Sequence, residues 1–328
     1  MFTGVDFWPH KKIFPIMDVR RTFVSITIGM FLASVAILAT KGLNFGIDFK
    51  GGSLFEIQAK SQDGKPGVLD IGELRQKVGA LGLGDVQIQQ LDKASDALIR
   101  IEQQKVQEGQ DPERAQQAAA EKVQAALGEN IEIRRTEVVG SAVSGELKWA
   151  GIMAVTFAML GILFYIWFRF EWQFAVAAII ATVHDITITL GVFSLLNMDF
   201  GLSEVAALLT LAGYSINDTV VVFDRIRENL RRYKKMALDQ LMNLSINETM
   251  SRTVLTSGTT LLAVLSIYVF GTEVIKGFAF AMLFGIIIGT WSSIFVASPF
   301  LLWIGVKRDW SGIAKSDKAT AAAATARS

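Results

Sequence analysis

Residues Phe174 to Leu196 read FAVAAIIATVHDITITLGVFSLL, 23 residues in which only His184 and Asp185 can carry charge. A helix rises ~1.5 Å per residue, so such a run is long enough to cross the ~30 Å hydrocarbon core of a bilayer. Five further runs of this kind flank it, at about Thr22–Thr40, Trp149–Phe168, Ser203–Phe223, Val254–Phe270 and Gly277–Ile304. Any one of them could be a buried core helix. Six could not all be buried by a soluble domain of 328 residues. The last run is longer than a span requires, which predicts tilt or a kink near Pro299. The chain therefore reads as an α-helical polytopic membrane protein with six transmembrane helices.

Composition agrees. Hydrophobic residues make up 51%, charged residues 19%, and mean hydropathy is +0.39. Soluble domains carry roughly 25% charged residues, so an ordinary soluble enzyme and a disordered chain are both poor fits. There is no cysteine, which excludes disulfides, thiolate metal sites, iron–sulfur clusters and a thiol nucleophile. Two histidines argue against a multi-histidine metal centre. Neither G-x-x-x-x-G-K-[ST] nor H-E-x-x-H occurs, so no catalytic residue, cofactor or metal is expected. The net charge of +1 points to no nucleic-acid partner.

The distribution of basic residues sets the orientation. Lys11, Lys12, Arg20 and Arg21 precede the first run, and Arg169 lies in the turn between the second and third. Arg225, Arg227, Arg231, Arg232, Lys234, Lys235 and Arg252 follow the fourth, and Lys307, Arg308, Lys315, Lys318 and Arg327 follow the sixth. All fall on one side if both termini are cytoplasmic. The opposite turns, Asn197–Gly201 and Gly271–Lys276, offer only Lys276. Trp149, Trp167, Trp172, Trp303 and Trp310 lie near span ends, where amphipathic rings settle. The first run is too long for a cleaved signal peptide and lacks paired small residues at its end, so it reads as an uncleaved anchor.

Residues 42–147 are different in character. They hold 12 basic and 17 acidic residues, a net of −5, and form a mildly acidic domain on the trans side. Ser53–Gln58, Val86–Gln89, Ala97–Glu102 and Ile131–Arg134 alternate as strands, and Ile71–Leu81 has helical spacing. Asp111 is a good N-cap with Pro112 at the first helical position, and Gly128 ends that helix after Leu127. The order β-α-β-β-α-β predicts a small α+β, ferredoxin-like fold, which by itself decides no function. Ahead of it lies Phe45-Gly46-Ile47-Asp48-Phe49-Lys50-Gly51-Gly52, whose three glycines permit positive φ.

Ionisable residues inside the spans are the informative ones, because a charge at the bilayer centre costs at least ~2.5–3.5 kcal/mol. Asp218 interrupts the fourth span within Tyr214-Ser215-Ile216-Asn217-Asp218. His184 and Asp185 fall near the middle of the third, ~100° apart around the helix and so on different faces. Arg252 stands at the entry of the fifth, followed by Thr253, Thr256, Ser257, Thr259 and Thr260. The fourth and fifth spans run in opposite directions, which places Asp218 and Arg252 at similar depth. In low dielectric a carboxyl group tends to hold its proton, whereas a nearby guanidinium favours the ionised form. Moving the guanidinium or admitting water would switch it, so the pair reads as a proton or cation relay or, at its plainest, as a static ion pair. Gly277, Ala281, Gly285 and Gly289 recur every four residues in the sixth span and permit close helix contact, within the chain or with another subunit. The basic run from Arg225 to Lys235 suits topology and lipid headgroups. Lys315–Ser328 has the composition of a disordered tail.

Gly46–Gly52, Val183-His184-Asp185, Gly213–Val221, Phe223–Asn229, Ser251-Arg252-Thr253 and Thr256–Thr260 together resemble the SecF family of the bacterial protein-export machinery. The resemblance is collinear from Met17 to Trp303. It implies half of a resistance-nodulation-division (RND) transporter, with six spans and one periplasmic domain, completed by SecD. It implies partnership with the SecYEG channel, YajC nearby, the SecA ATPase functionally, and preprotein as substrate. It also implies use of a proton or sodium gradient, with Asp218 and Arg252 at the family's ion-path positions and a further acidic partner in SecD. His184 and Asp185 are candidate relay or bracing residues, and Gly46, Asp48, Gly51, Gly52 and Asn217 are motif positions.

On this reading residues 1–21 are a cytoplasmic segment and 22–41 the first span. Residues 42–147 are the periplasmic domain, and 148–304 hold spans two to six with a basic cytoplasmic segment at 224–253. Residues 305–328 are a cytoplasmic tail, and the protein sits in the inner membrane. Alternatives are an RND-type small-solute half-transporter and a passive scaffold of the translocon.

Overall fold

The computed structural model describes residues 13–60, 67–91, 93–104 and 111–306. Lys11, Lys12 and the tail from residue 307, with Trp310 and the stretch expected to be disordered, lie outside the described residues.

Six helical stretches are long and apolar enough to cross a membrane. They comprise α1 (Arg20–Lys41), α5 (Ser141–Arg169), α6 (Trp172–Leu196), α7 (Leu202–Arg232), α8 (Leu238–Phe270) and a final stretch beginning with α9 (Glu273–Ser292). Several outlast the apolar runs that announce them. Helix α5 starts at Ser141, ahead of Trp149, and α7 continues to Arg232. The segment 224–253, read as a basic connector, is therefore a helical hairpin. Its apolar spacing explains why: Ile226, Leu230, Leu241, Met242, Ile246 and Met250 are all buried with Met17 and Phe170. A short 3-10 turn, Ile16–Val19, is pinned to this hairpin by the Met17 N–H donating to Asn243 Oδ1 at 2.7 Å.

The sixth stretch is irregular just ahead of Pro299. After α9 the chain widens into a π-helical segment, Ser293–Ala297, before α10 (Ser298–Ile304). Proline lacks an N–H and its ring presses on the carbonyl four residues earlier, here Phe295, so the irregularity falls inside the preceding turn.

The soluble domain contains β2 (Gly52–Ala59), α3 (Ile71–Gly79), β3 (Val86–Gln90), β4 (Asp96–Ile101), α4 (Pro112–Leu127) and β5 (Ile131–Val139). Its antiparallel sheet has the order β3-β4-β2-β5, the ferredoxin-like arrangement. Asp70 and Asp111 cap α3 and α4 through their side chains, and Gly128 ends α4 at φ 73°. Phe55, Ile57, Ile99, Ile101, Val78 and Val123 fill the core between sheet and helices.

Two small elements join this domain to the helices. Strand β1 (Asn44–Phe45) pairs in parallel with β6 (Asp199–Phe200), and the single-turn α2 (Ile47–Lys50) follows β1. Only two of the three motif glycines adopt positive φ, Gly51 at 74° and Gly52 at 128°; Gly46 lies at −68°. A Cβ on Gly52 would sit 2.4 Å from the Ile101 carbonyl oxygen, so the backbone of the neighbouring strand requires glycine there.

Within the bundle, α6, α7 and α9 form the interior and α1, α5 and α8 the periphery. Phe157, Phe164 and Phe168 of α5 and Leu262, Val269 and Phe270 of α8 are exposed, as side chains facing hydrocarbon should be. The small-residue repeat of α9 is used inside the chain. Leu211 of α7 seats over Gly285 and Ser215 over Gly289, so the two backbones approach closely.

Candidate ion-relay site

Two carboxyl groups lie in the interior of the bundle. Asp218, midway along α7, is 8% exposed, and Asp185, midway along α6, is 1% exposed. Each is held by two hydroxyl groups from neighbouring helices. Asp218 Oδ1 accepts from Thr253 Oγ1 of α8 at 2.6 Å, and its Oδ2 accepts from Ser293 Oγ at 2.6 Å. Asp185 Oδ2 accepts from Ser215 Oγ of α7 at 2.6 Å and from Ser292 Oγ at 2.7 Å. Adjacent serines at the start of the π segment thus serve different acids on different helices.

The remaining oxygen of Asp185 lies 2.9 Å from His184 Nδ1. Their ~100° separation had placed them on different faces, yet they meet, because a bond between consecutive side chains needs only that the imidazole swing sideways over its own helix. The His184 ring is buried and stacks near Phe31 of α1, with centroids 6.4 Å apart. A second hydroxyl chain lies alongside: Tyr214 donates to Ser257 at 3.3 Å, and Ser257 lies 2.7 Å from Thr290 Oγ1.

Arg252 does not contact Asp218. Its side chain is exposed, and among the described residues neither a hydrogen bond nor an ion pair joins the two. The next residue, Thr253, makes the direct bond to Asp218. Asn217 is also exposed, on a stripe of α7 that includes Ser203, Ala206, Thr210 and Gly213. Among the described residues no group of three or more His, Asp and Glu could hold a metal ion.

A second cluster lies at the end of α7 nearest the soluble domain. Asp48 Oδ2 accepts from the Leu202 N–H at 2.8 Å, and Glu204 Oε2 accepts from the Gly201 N–H at 2.7 Å. Arg100 of β4 grips Asp199 through its two terminal guanidinium nitrogens, and Asn44 donates to Asp199 at 2.7 Å. The soluble domain is therefore tied to the start of the helix that carries Asp218.

The chain is similar to known proteins. The family described as "Protein export membrane protein SecD/SecF, C-terminal" matches residues 119–307, and the "SecD/SecF GG Motif" matches residues 36–63. The chain belongs to the SecD/SecF family. It is 44% identical to protein translocase subunit SecF of Rhodobacter capsulatus, over 94% of both chains. It is 40% identical to protein translocase subunit SecDF of Brucella abortus, covering 91% of this chain and 38% of that one. Among solved structures it superposes on SecDF of Thermus thermophilus, a translocon-associated membrane protein, with a TM-score of 0.76 at 34% identity. That match covers 91% of this chain and 39% of the SecDF chain, so this chain spans about two fifths of the fused protein.

The family is one of protein export membrane proteins, in keeping with six helices long and apolar enough to cross a membrane. The GG motif is the segment that carries Asp48 and the two positive-φ glycines. Ser292, Ser293 and Glu204 do not stand out in the sequence as buried charges. The serines carry none, and Glu204 sits at the edge of its span. The available signal was the Ser292-Ser293 pair shortly before Pro299.

Proposed function

We propose that this chain is the SecF-type subunit of the accessory complex of a bacterial Sec translocase. Together with SecD it uses a proton or sodium gradient to promote preprotein movement across the inner membrane through SecYEG. The observation that carries this reading is Asp218: a carboxyl group in the bundle interior, held between Thr253 and Ser293, with the charge of Arg252 nearby. An acid held by hydroxyls on two other helices can gain or lose a proton, and helix packing must answer. The free energy available is ~2.3 kcal/mol per charge per 100 mV.

In this scheme Asp185 and His184 belong to the same relay. SecD supplies the other half of the membrane bundle, and the exposed stripe Ser203, Ala206, Thr210, Gly213 and Asn217 on α7 is its contact face. The small side chains of that stripe admit a close helix neighbour. Both termini face the cytoplasm and the soluble domain faces the periplasm. SecA and YajC work alongside, lipid headgroups meet the basic hairpin, and the protein carries out no covalent catalysis.

The test is preprotein export into vesicles containing the complex, with and without an imposed gradient. Asp218→Asn keeps the side-chain size. It abolishes the gradient-dependent increment while leaving assembly with SecD and ATP-driven export intact. Equal gradient stimulation in wild type and variant would refute the relay and leave a passive scaffold.

A further inference from the structure

Ser292 and Ser293 differ from the other hydroxyl donors of the site. Each lies within reach of two acceptors. Ser292 Oγ is 2.7 Å from Asp185 Oδ2 and 3.1 Å from the Gly289 carbonyl oxygen. Ser293 Oγ is 2.6 Å from Asp218 Oδ2 and 3.0 Å from the Thr290 carbonyl oxygen. A hydroxyl has one hydrogen and rotates freely, so each serine can aim it at the carboxylate or at its own helix. Both side chains are fully buried, and water cannot replace either bond cheaply. Thr253 and Ser215 have no such second acceptor among the described hydrogen bonds.

We propose that Ser292 and Ser293 are hydroxyl rotors that allow Asp185 and Asp218 to change protonation state in place. When Asp218 is ionised, the Ser293 hydroxyl donates to Oδ2. When a proton arrives, an O–H bond forms at Oδ2, the new hydroxyl donates to Ser293 Oγ, and the serine hydrogen turns to the Thr290 carbonyl. On release the proton leaves Oδ2 and the serine turns back. Ser292 serves Asp185 in the same way, with Gly289 as its alternate acceptor. No covalent bond other than the transferred O–H changes, and each serine hydroxyl and the carboxyl oxygen it faces keep a partner in both states.

The two rotors stand where α9 passes into the π segment. Ser293 opens it, and its carbonyl oxygen accepts from Ser298 Oγ at 3.0 Å. Of the titratable groups on the surrounding helices, His184 on α6 bonds Asp185, Tyr214 on α7 bonds Ser257, and Arg252 on α8 is exposed and directly precedes Thr253. On α9 and the π segment the facing groups are hydroxyls, and α1 presents Phe31 near His184.

This inference rests on the relay reading, and the experiment separates the two. Export by the SecD-containing complex in vesicles is measured across pH under a fixed gradient for wild type, Ser293→Ala, Ser292→Ala and Asp218→Asn. Alanine is smaller than serine, so assembly with SecD should persist, and copurification checks it. Ser293→Ala removes a donor from the ionised acid, so the pH midpoint of gradient-driven export should move upward by about one unit. Ser292→Ala should move it in the same sense. An unchanged midpoint in both assembled alanine variants, with Asp218→Asn inactive, overturns the rotors and leaves the relay standing. A fully gradient-responsive Asp218→Asn overturns both.

Discussion

Asp48 Oδ2 accepts a 2.8 Å hydrogen bond from the Leu202 N–H, joining the segment before the soluble domain to the first residue of α7. Asp218 lies on that same helix. A helix N-terminus carries unpaired N–H groups and partial positive charge, both of which a carboxylate satisfies. With the Arg100–Asp199 grip and the β1–β6 pair, this bond ties the helix that carries Asp218 to the soluble domain, the route a change at Asp218 would take under the proposed relay.

Removing that link should weaken both stability and coupling. Asp48→Ala is expected to cost about 1 kcal/mol, as the loss of a capping side chain usually does. Asp48→Asn, which still offers an acceptor oxygen, should retain most of it. Thermal unfolding of the purified chain in detergent reads the stability, and gradient-stimulated export reads the coupling. Equal behaviour of the two variants would show that the carboxamide oxygen does not substitute.

The glycines of the GG motif should not be equivalent. Gly52 has φ 128° and its Cβ would meet the Ile101 carbonyl at 2.4 Å, whereas a Cβ on Gly46 has its nearest neighbour at 3.5 Å. Gly52→Ala should destabilise by about 1–3 kcal/mol or more, and Gly46→Ala by less than about 0.5 kcal/mol. Denaturation midpoints of the two variants, compared with wild type, decide the ranking.

Two glycines on helices test the inner and outer faces of the bundle. A Cβ on Gly285 would lie 2.4 Å from Leu211, while one on Gly213 meets nothing within 4 Å in this chain. Gly285→Leu should therefore disrupt folding of the chain itself. Gly213→Leu should leave the isolated chain as stable as wild type yet reduce copurification of SecD at least several-fold. Normal SecD recovery with Gly213→Leu would move the contact face off that stripe of α7.

Much of this was legible in the sequence, for identifiable reasons. Alternation in Ser53–Gln58 and Ala97–Glu102 and the Asp111-Pro112 start of α4 are local signals, and local signals survive into the fold. The β1–β6 pair was not legible, because two residues pairing across 155 positions leave no periodicity. The π segment was half legible. Pro299 announced a distortion, but its place depends on where the ring strikes the preceding turn. Asp185 and Asp218 stood out as ionisable groups among apolar ones. Their serine partners did not, since a serine in a membrane helix commonly satisfies itself on its own backbone, as Ser266 does.

The central claim is that Asp218 changes protonation as the gradient acts, and infrared difference spectroscopy of the SecD-containing complex in vesicles observes this directly. Imposing a proton gradient should produce a carboxyl C=O band in wild type that is absent from Asp218→Asn. Identical spectra for the two, recorded while the wild type exports preprotein, would contradict the account.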